Sequence, residues 1–128
     1  MTTDRRVLYV EDDRVNVLLF EEVCRMAGGL EVASAGSGAE AVQMATQFAP
    51  DLLVIDLHLP DTDGFDLLRV LRMNPALAAV PAFLCSADDP EDVAAEARAA
   101  GFEGCWSKPV DVQQLIAELT LLGAKPQP

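Results

Sequence analysis

The chain has 128 residues, 51% of them apolar but only 5% aromatic, with nine basic against twenty-one acidic residues and a net charge of −12. That length suits one domain around one core of Ala, Val and Leu, small enough side chains for helices to lie close over a sheet. The acidity sets the chain against nucleic acid and anionic membrane as direct partners, and leaves a hard cation or a basic protein surface.

In chain order, Met1-Thr2-Thr3-Asp4-Arg5-Arg6 has no apolar segment behind its charges and is no secretory leader. Val7-Leu8-Tyr9-Val10 is a short strand-type run that ends in Glu11-Asp12-Asp13. A helix should follow, N-capped by Asp13, with Val15, Leu18, Leu19, Val23 and Met26 as its apolar stripe and Gly28-Gly29 as its stop. Leu30 to Ala35 alternates as a half-exposed edge strand does. Ser37-Gly38-Ala39-Glu40 has capping-box spacing and opens a second helix to about Phe48. Leu52-Leu53-Val54-Ile55 is a strand buried on both faces, stopping at Asp56. Pro60, Asp61, Asp63 and Gly64 signal the turn after it, with Asp61 and Asp63 read as turn formers.

A third helix runs from Gly64 through Phe65, Leu68 and Leu71 or Arg72 to near Asn74-Pro75. Val80 to Cys85 is a fourth strand ending at Ser86, and Pro90 opens a fourth helix that Gly101 closes. Beyond Val93 that helix offers mostly Ala to bury, so a weakly anchored, mobile element is expected. Gly104 to Ser107 is a fifth strand, followed by Lys108-Pro109. From Asp111, the residues Val112, Leu115, Ile116, Leu119 and Leu122 form a fifth, clearly amphipathic helix, ended by Gly123. Strand and helix alternate throughout with short connections, which predicts a single α/β domain: a parallel sheet with helices on both faces.

Cys24, Cys85 and Cys105 are an odd number without C-x-x-C spacing, and no run reaches transmembrane length. The chain therefore reads as cytoplasmic, with reduced thiols. Cys85 reads as a small buried hydrophobe.

The strand ends carry the chemistry. Glu11-Asp12 follow the first strand, Asp56 ends the third, Ser86 the fourth, and Lys108 follows the fifth. All would lie along one edge of a parallel sheet, where ligands of open α/β folds bind. Carboxylates sharing a crevice need a counter-charge, and Mg²⁺, which keeps several waters, needs only one or two of them as ligands. Zinc-type Cys and His spacing is absent. Beside such a cation a carboxylate can act as nucleophile toward a phosphoryl group, with Lys108 and Ser86 to neutralise and hydrogen-bond it.

The spaced set Glu11-Asp12, Asp56, Ser86 and Lys108-Pro109, with the phrase Leu59-Pro60-Asp61-Thr62-Asp63-Gly64-Phe65, resembles the receiver domain of two-component response regulators over about residues 5 to 122. The resemblance implies a flavodoxin-like, doubly wound sheet of order 2-1-3-4-5 with five helices. It implies Asp56 as phosphoacceptor from a histidine kinase or phosphotransfer protein. Asp12, Asp56, the His58 main-chain carbonyl and Glu11, which helps directly or through water, would hold Mg²⁺. Ser86 would hydrogen-bond the phosphoryl group, Lys108 would pair with it, and a cis peptide bond would precede Pro109. Phosphorylation would then change the surface toward a downstream effector protein or domain.

The His58 side chain reads as that of an exposed loop residue, though by the resemblance its place two after Asp56 could tune dephosphorylation; Asp88, two after Ser86, reads equally as an exposed loop acid or as such a tuning group. Where the family usually has a switch aromatic, three residues before the lysine, this chain has Cys105, and the aromatic follows as Trp106. Alternation along a strand puts Trp106 on the opposite face from Cys105, as packing. That departure keeps open a second reading, a receiver-like module that docks a partner without phosphorylation. A Mg²⁺-dependent aspartyl phosphohydrolase is disfavoured, because such enzymes place a second Asp where His58 stands. A flavodoxin is disfavoured too, since no Ser/Thr-rich phosphate loop is present. Residues 123–128 read as a tail or the start of a linker.

Overall fold

Five short runs pair as parallel strands in a computed structural model that describes residues 5–87, 90–108, 113 and 117. They are β1 (Arg5–Val10), β2 (Leu30–Ala35), β3 (Leu52–Asp56), β4 (Ala82–Ser86) and β5 (Gly104–Ser107), ordered β2-β1-β3-β4-β5. The central strand β3 is buried along its whole length, as its unbroken apolar run requires, and β2 lies at an edge with half-buried residues. Val80 and Pro81 precede β4 rather than belonging to it, since Pro81 has no N–H for the ladder; its carbonyl accepts from Leu53 at 2.9 Å.

The helices are α1 (Arg14–Ala27), α2 (Gly38–Phe48), α3 (Gly64–Arg72) and α4 (Pro90–Ala100), with one 3-10 turn at Pro75–Leu77. The expected fifth helix falls largely outside the described residues, of which Gln113 and Ala117 are helical. Among the described residues no helix is long and apolar enough to cross a membrane.

Alternation along the strands sorts the core into two clusters. Leu8, Val10, Leu53, Ile55 and Leu84 point to the side covered by α2, α3 and α4. Val7, Tyr9, Leu52, Val54, Cys85 and Trp106 point to the side covered by α1. The α4 helix contributes only Val93 and Ala97 to the first cluster, which agrees with its Ala-rich composition.

Caps follow the sequence closely. The Asp13 carboxylate accepts from the N–H groups of Val15 and Asn16, and Ser37 accepts from Glu40 N–H at 3.1 Å. The Glu40 carboxylate accepts from the N–H of Gly36, one residue before the cap, at 2.7 Å, instead of from Ser37 as a capping box would have it.

The α1 stripe is a correction. Of the five residues expected to face the core, only Val23 does; Val15 is 72% exposed, and Leu18, Leu19 and Met26 are exposed as well. The buried face is Phe20, Val23 and Cys24, flanked by Val17 and Ala27. The helix carries two apolar stripes, and stacking of Phe20 on Tyr9, with ring centroids 4.0 Å apart, goes with the aromatic one.

Candidate functional site

Because all five strands run the same way, their carboxyl ends share one edge, and that edge gathers the candidate residues. Glu11 directly follows β1, Asp56 closes β3, Ser86 closes β4, and Lys108 directly follows β5. Glu11, Asp56 and Ser86 are buried, with exposures of 2%, 5% and 0%, while Asp12 is exposed beside them. Carboxylate oxygens of Glu11, Asp12 and Asp56 come within 4.8 Å of one another.

Lys108 ties this group together. Its ammonium lies 2.5 Å from Glu11 Oε1 and 3.0 Å from Asp56 Oδ1. Its backbone N–H donates to the Ser86 carbonyl at 2.9 Å, which aims the side chain back along the edge toward β3 and β1. The loop after Asp56 is fixed by backbone hydrogen bonds from Leu57 N–H to Cys85 and from Gly64 N–H to Leu57, at 2.9 and 2.8 Å. Gly64 starts α3 so close to the strand end that a Cβ there would sit 2.9 Å from the Asp56 carbonyl oxygen and 2.8 Å from Leu84 Cδ1.

Burial pushes the Asp56 carboxyl up to about 6, and the nearby Glu11 charge adds to this, against the pull of Lys108. For Lys108 burial works against the charge, yet its contacts with Glu11 and Asp56 outweigh it and hold the ammonium above its ordinary value. One lysine facing three acids leaves the edge negative. The donors are carboxylate oxygens, and exposed Asp12 leaves room for water, so the set fits a hard divalent cation of the magnesium type.

The other candidates scatter around this centre. His58 is an exposed loop residue bridged to Asp63, and Asp88, Pro109 and the peptide bond before Pro109 lie outside the described residues. Cys105 packs half-buried against the α4-side cluster. Trp106 faces the other way, as alternation requires, stacked on Phe83 with centroids 4.8 Å apart. Cys85 lies deep in the core, where burial pushes its thiol far up and leaves it unreactive.

Two residues near the site carry roles that the sequence alone left hidden. Asp61 does more than form a turn: its carboxylate accepts from Gly38 and Ala39 N–H at 2.8 and 3.0 Å, pinning the loop after Asp56 to the start of α2. Nothing local announces this, because the partner lies 23 residues earlier. Tyr9 buries its hydroxyl 3.3 Å from Glu11 Oε1. The signal for it was a phenol inside an apolar run, two residues before an acid and so on the same strand face.

Comparison with known proteins agrees with this geometry. The family model described as response regulator receiver domain matches residues 7–120. The polar-differentiation response regulator DivK of Brucella ovis is 30% identical over 112 residues, covering 88% of this chain and 90% of that protein. A solved structure described as a putative response regulator from Chloroflexus aurantiacus superposes with a TM-score of 0.86 at 30% identity, covering 96% of this chain and all of that one. The chemotaxis response regulator CheY4 of Vibrio cholerae does so at 0.83 and 27%, covering 91% and 97%.

Proposed function

Because the chain belongs to the response regulator receiver domain family, we propose that it is a Mg²⁺-dependent phosphoacceptor, one receiver domain spanning the chain, that works in the cytoplasm. The observation that carries this reading is a buried carboxylate, Asp56, held 3.0 Å from Lys108 and gathered with Glu11 and Asp12 at one sheet edge.

In this reading the donor is a phosphohistidine on a kinase or phosphotransfer protein. An Asp56 oxygen attacks phosphorus; the new P–O bond forms as the P–N bond breaks, and the bonding pair returns to the imidazole nitrogen. Asp12, Asp56, Glu11 and the His58 carbonyl would hold the Mg²⁺, which when bound neutralises charge on the phosphoryl oxygens. Lys108 shifts from Asp56 toward the transferred group, and Ser86 offers it a hydroxyl. Asp12 is open to solvent, so the incoming donor reaches the edge from outside. Any catalysis is then of the chain's own phosphorylation and dephosphorylation, with His58 and Asp88 as the candidates for tuning the latter.

The output is a changed surface presented to an effector protein or domain. Cys105 stands where the family usually has an aromatic, so the sparsely anchored α4 and the segment before it would carry the signal. That same residue is what favours the second reading, docking without phosphorylation.

Incubation with acetyl phosphate and Mg²⁺ followed by intact-mass measurement tests the proposal. One added phosphoryl group that requires Mg²⁺ and is lost in Asp56→Asn supports it. No gain under conditions that label another receiver domain overturns it in favour of the docking module.

A further inference from the structure

Tyr9 is 1% exposed near the carboxyl end of β1, its ring packed face to face on Phe20 of α1 at 4.0 Å and 16°. A hydroxyl at that depth needs a hydrogen-bond partner, and the one it has is a carboxylate: Tyr9 donates to Glu11 Oε1 at 3.3 Å.

Glu11 is thus gripped from three directions. Oε1 takes both the Tyr9 hydroxyl and the Lys108 ammonium, and Oε2 takes the backbone N–H of Asp13 at 3.2 Å. These grips differ in kind. Lys108 also holds Asp56 and sits on a long flexible stem. Tyr9 is wedged by its stacked ring, and among the described residues the carboxylate its hydroxyl donates to is that of Glu11. Glu is one methylene longer than Asp and has more rotamers to lose, so a fixed donor does more for it.

We infer that Tyr9 is a positioning residue for the divalent-cation site, holding the Glu11 carboxylate in its ligand-ready orientation independently of Lys108. This rests on the cation-dependent reading of the edge given above. Partners that orient metal ligands through one hydrogen bond are commonly worth ten- to hundredfold in metal affinity.

The test is calorimetric titration of the unphosphorylated full chain with Mg²⁺. Tyr9→Phe keeps the ring and its stack and removes only the donor, and is expected to weaken Mg²⁺ binding about tenfold. In a Glu11→Ala background the same change is expected to leave the Mg²⁺ dissociation constant unaltered, since no carboxylate remains to be held. A packing role for Tyr9 would shift both backgrounds alike, and that result overturns the inference. So does unchanged affinity of Tyr9→Phe against a wild-type chain that binds. A wild-type chain that takes up no Mg²⁺ overturns the cation-site reading itself, and this inference with it. Thermal melts of each variant confirm that the folded chain is what is titrated.

Discussion

Lys108 and Glu11 stand 97 residues apart in sequence, yet the ammonium of one lies 2.5 Å from the carboxylate of the other at the sheet edge. The contact closes the edge from its far side, since β5 and β1 are separated by β3 and β4. It also brings the same ammonium to Asp56 at 3.0 Å, so one flexible cation balances two buried anions.

Replacing that cation leaves two buried carboxylates without compensation. Lys108→Met is expected to lose about 3 kcal/mol of stability in the presence of a chelator, the usual scale for breaking a buried ion pair from one side. Added Mg²⁺ should return a large part of the loss, because the cation binds the folded chain alone. Urea denaturation with EDTA and with Mg²⁺ measures both. Equal stability of wild type and variant in EDTA would show that the lysine bridge holds nothing together.

Asp56 is expected to cost stability when ionised. Its carboxyl is raised to about 6 in the folded chain, so the folded state holds the proton more tightly than the unfolded one does. Stability is therefore greatest while Asp56 is protonated and falls as pH climbs from about 4 to about 6. Asp56→Asn stays neutral throughout. Without Mg²⁺ it should be more stable than wild type near neutral pH by on the order of 2–3 kcal/mol, and should lack that downward step. Melting curves across the window, with no cation present, decide it.

The Asp61 clamp gives the opposite pH signature. The hydrogen bonds from Gly38 and Ala39 hold its carboxyl below the usual carboxylate range. Its contribution is then present above the unfolded value of about 3.9 and fades as pH falls through the depressed folded one. Asp61→Ala should melt below wild type at neutral pH, with the gap closing in strong acid. A gap that persists unchanged in acid would mean that the carboxylate charge is not what pins the loop to α2.

Gly64 is required for space alone, since its backbone lies outside the positive-φ region. Gly64→Ala drives a methyl against the Asp56 carbonyl and Leu84 Cδ1. The cost of such overpacking is about 2 kcal/mol, read from the denaturant midpoint. The loop after Asp56 should shift with it, and Mg²⁺ binding should weaken in parallel. Full stability in the variant would mean that the loop relaxes at no cost.

Strands β1, β3 and β4 were legible because each is a brief apolar run cut off by a polar residue, and those polar residues are candidates for the site; β2 was legible from its alternation. Asp56 could be placed at the sheet edge from Leu52-Leu53-Val54-Ile55 alone. The caps at Asp13 and Ser37 were legible for the same reason, since each depends on neighbours a few residues away. What escaped depends on partners distant in sequence. The register of α1 turned on Phe20 meeting Tyr9, and periodicity could not choose between two apolar stripes. Asp61 looked like an ordinary turn acid because its two donors belong to a helix already passed.

Trp106 is the chain's one tryptophan, and its stack on Phe83 turns a packing detail into an optical gauge. It sits in register with Cys85, which in turn is the β4 partner of Asp56. Emission excited at the indole therefore comes from a single point, two strands across the sheet from the phosphoacceptor candidate and two residues before Lys108. Movement of β5 as Lys108 changes partner would alter the overlap of the two rings and hence the quantum yield, without a dye or a label. The protein supplies its own spectroscopic reporter at the place where its chemistry would be felt.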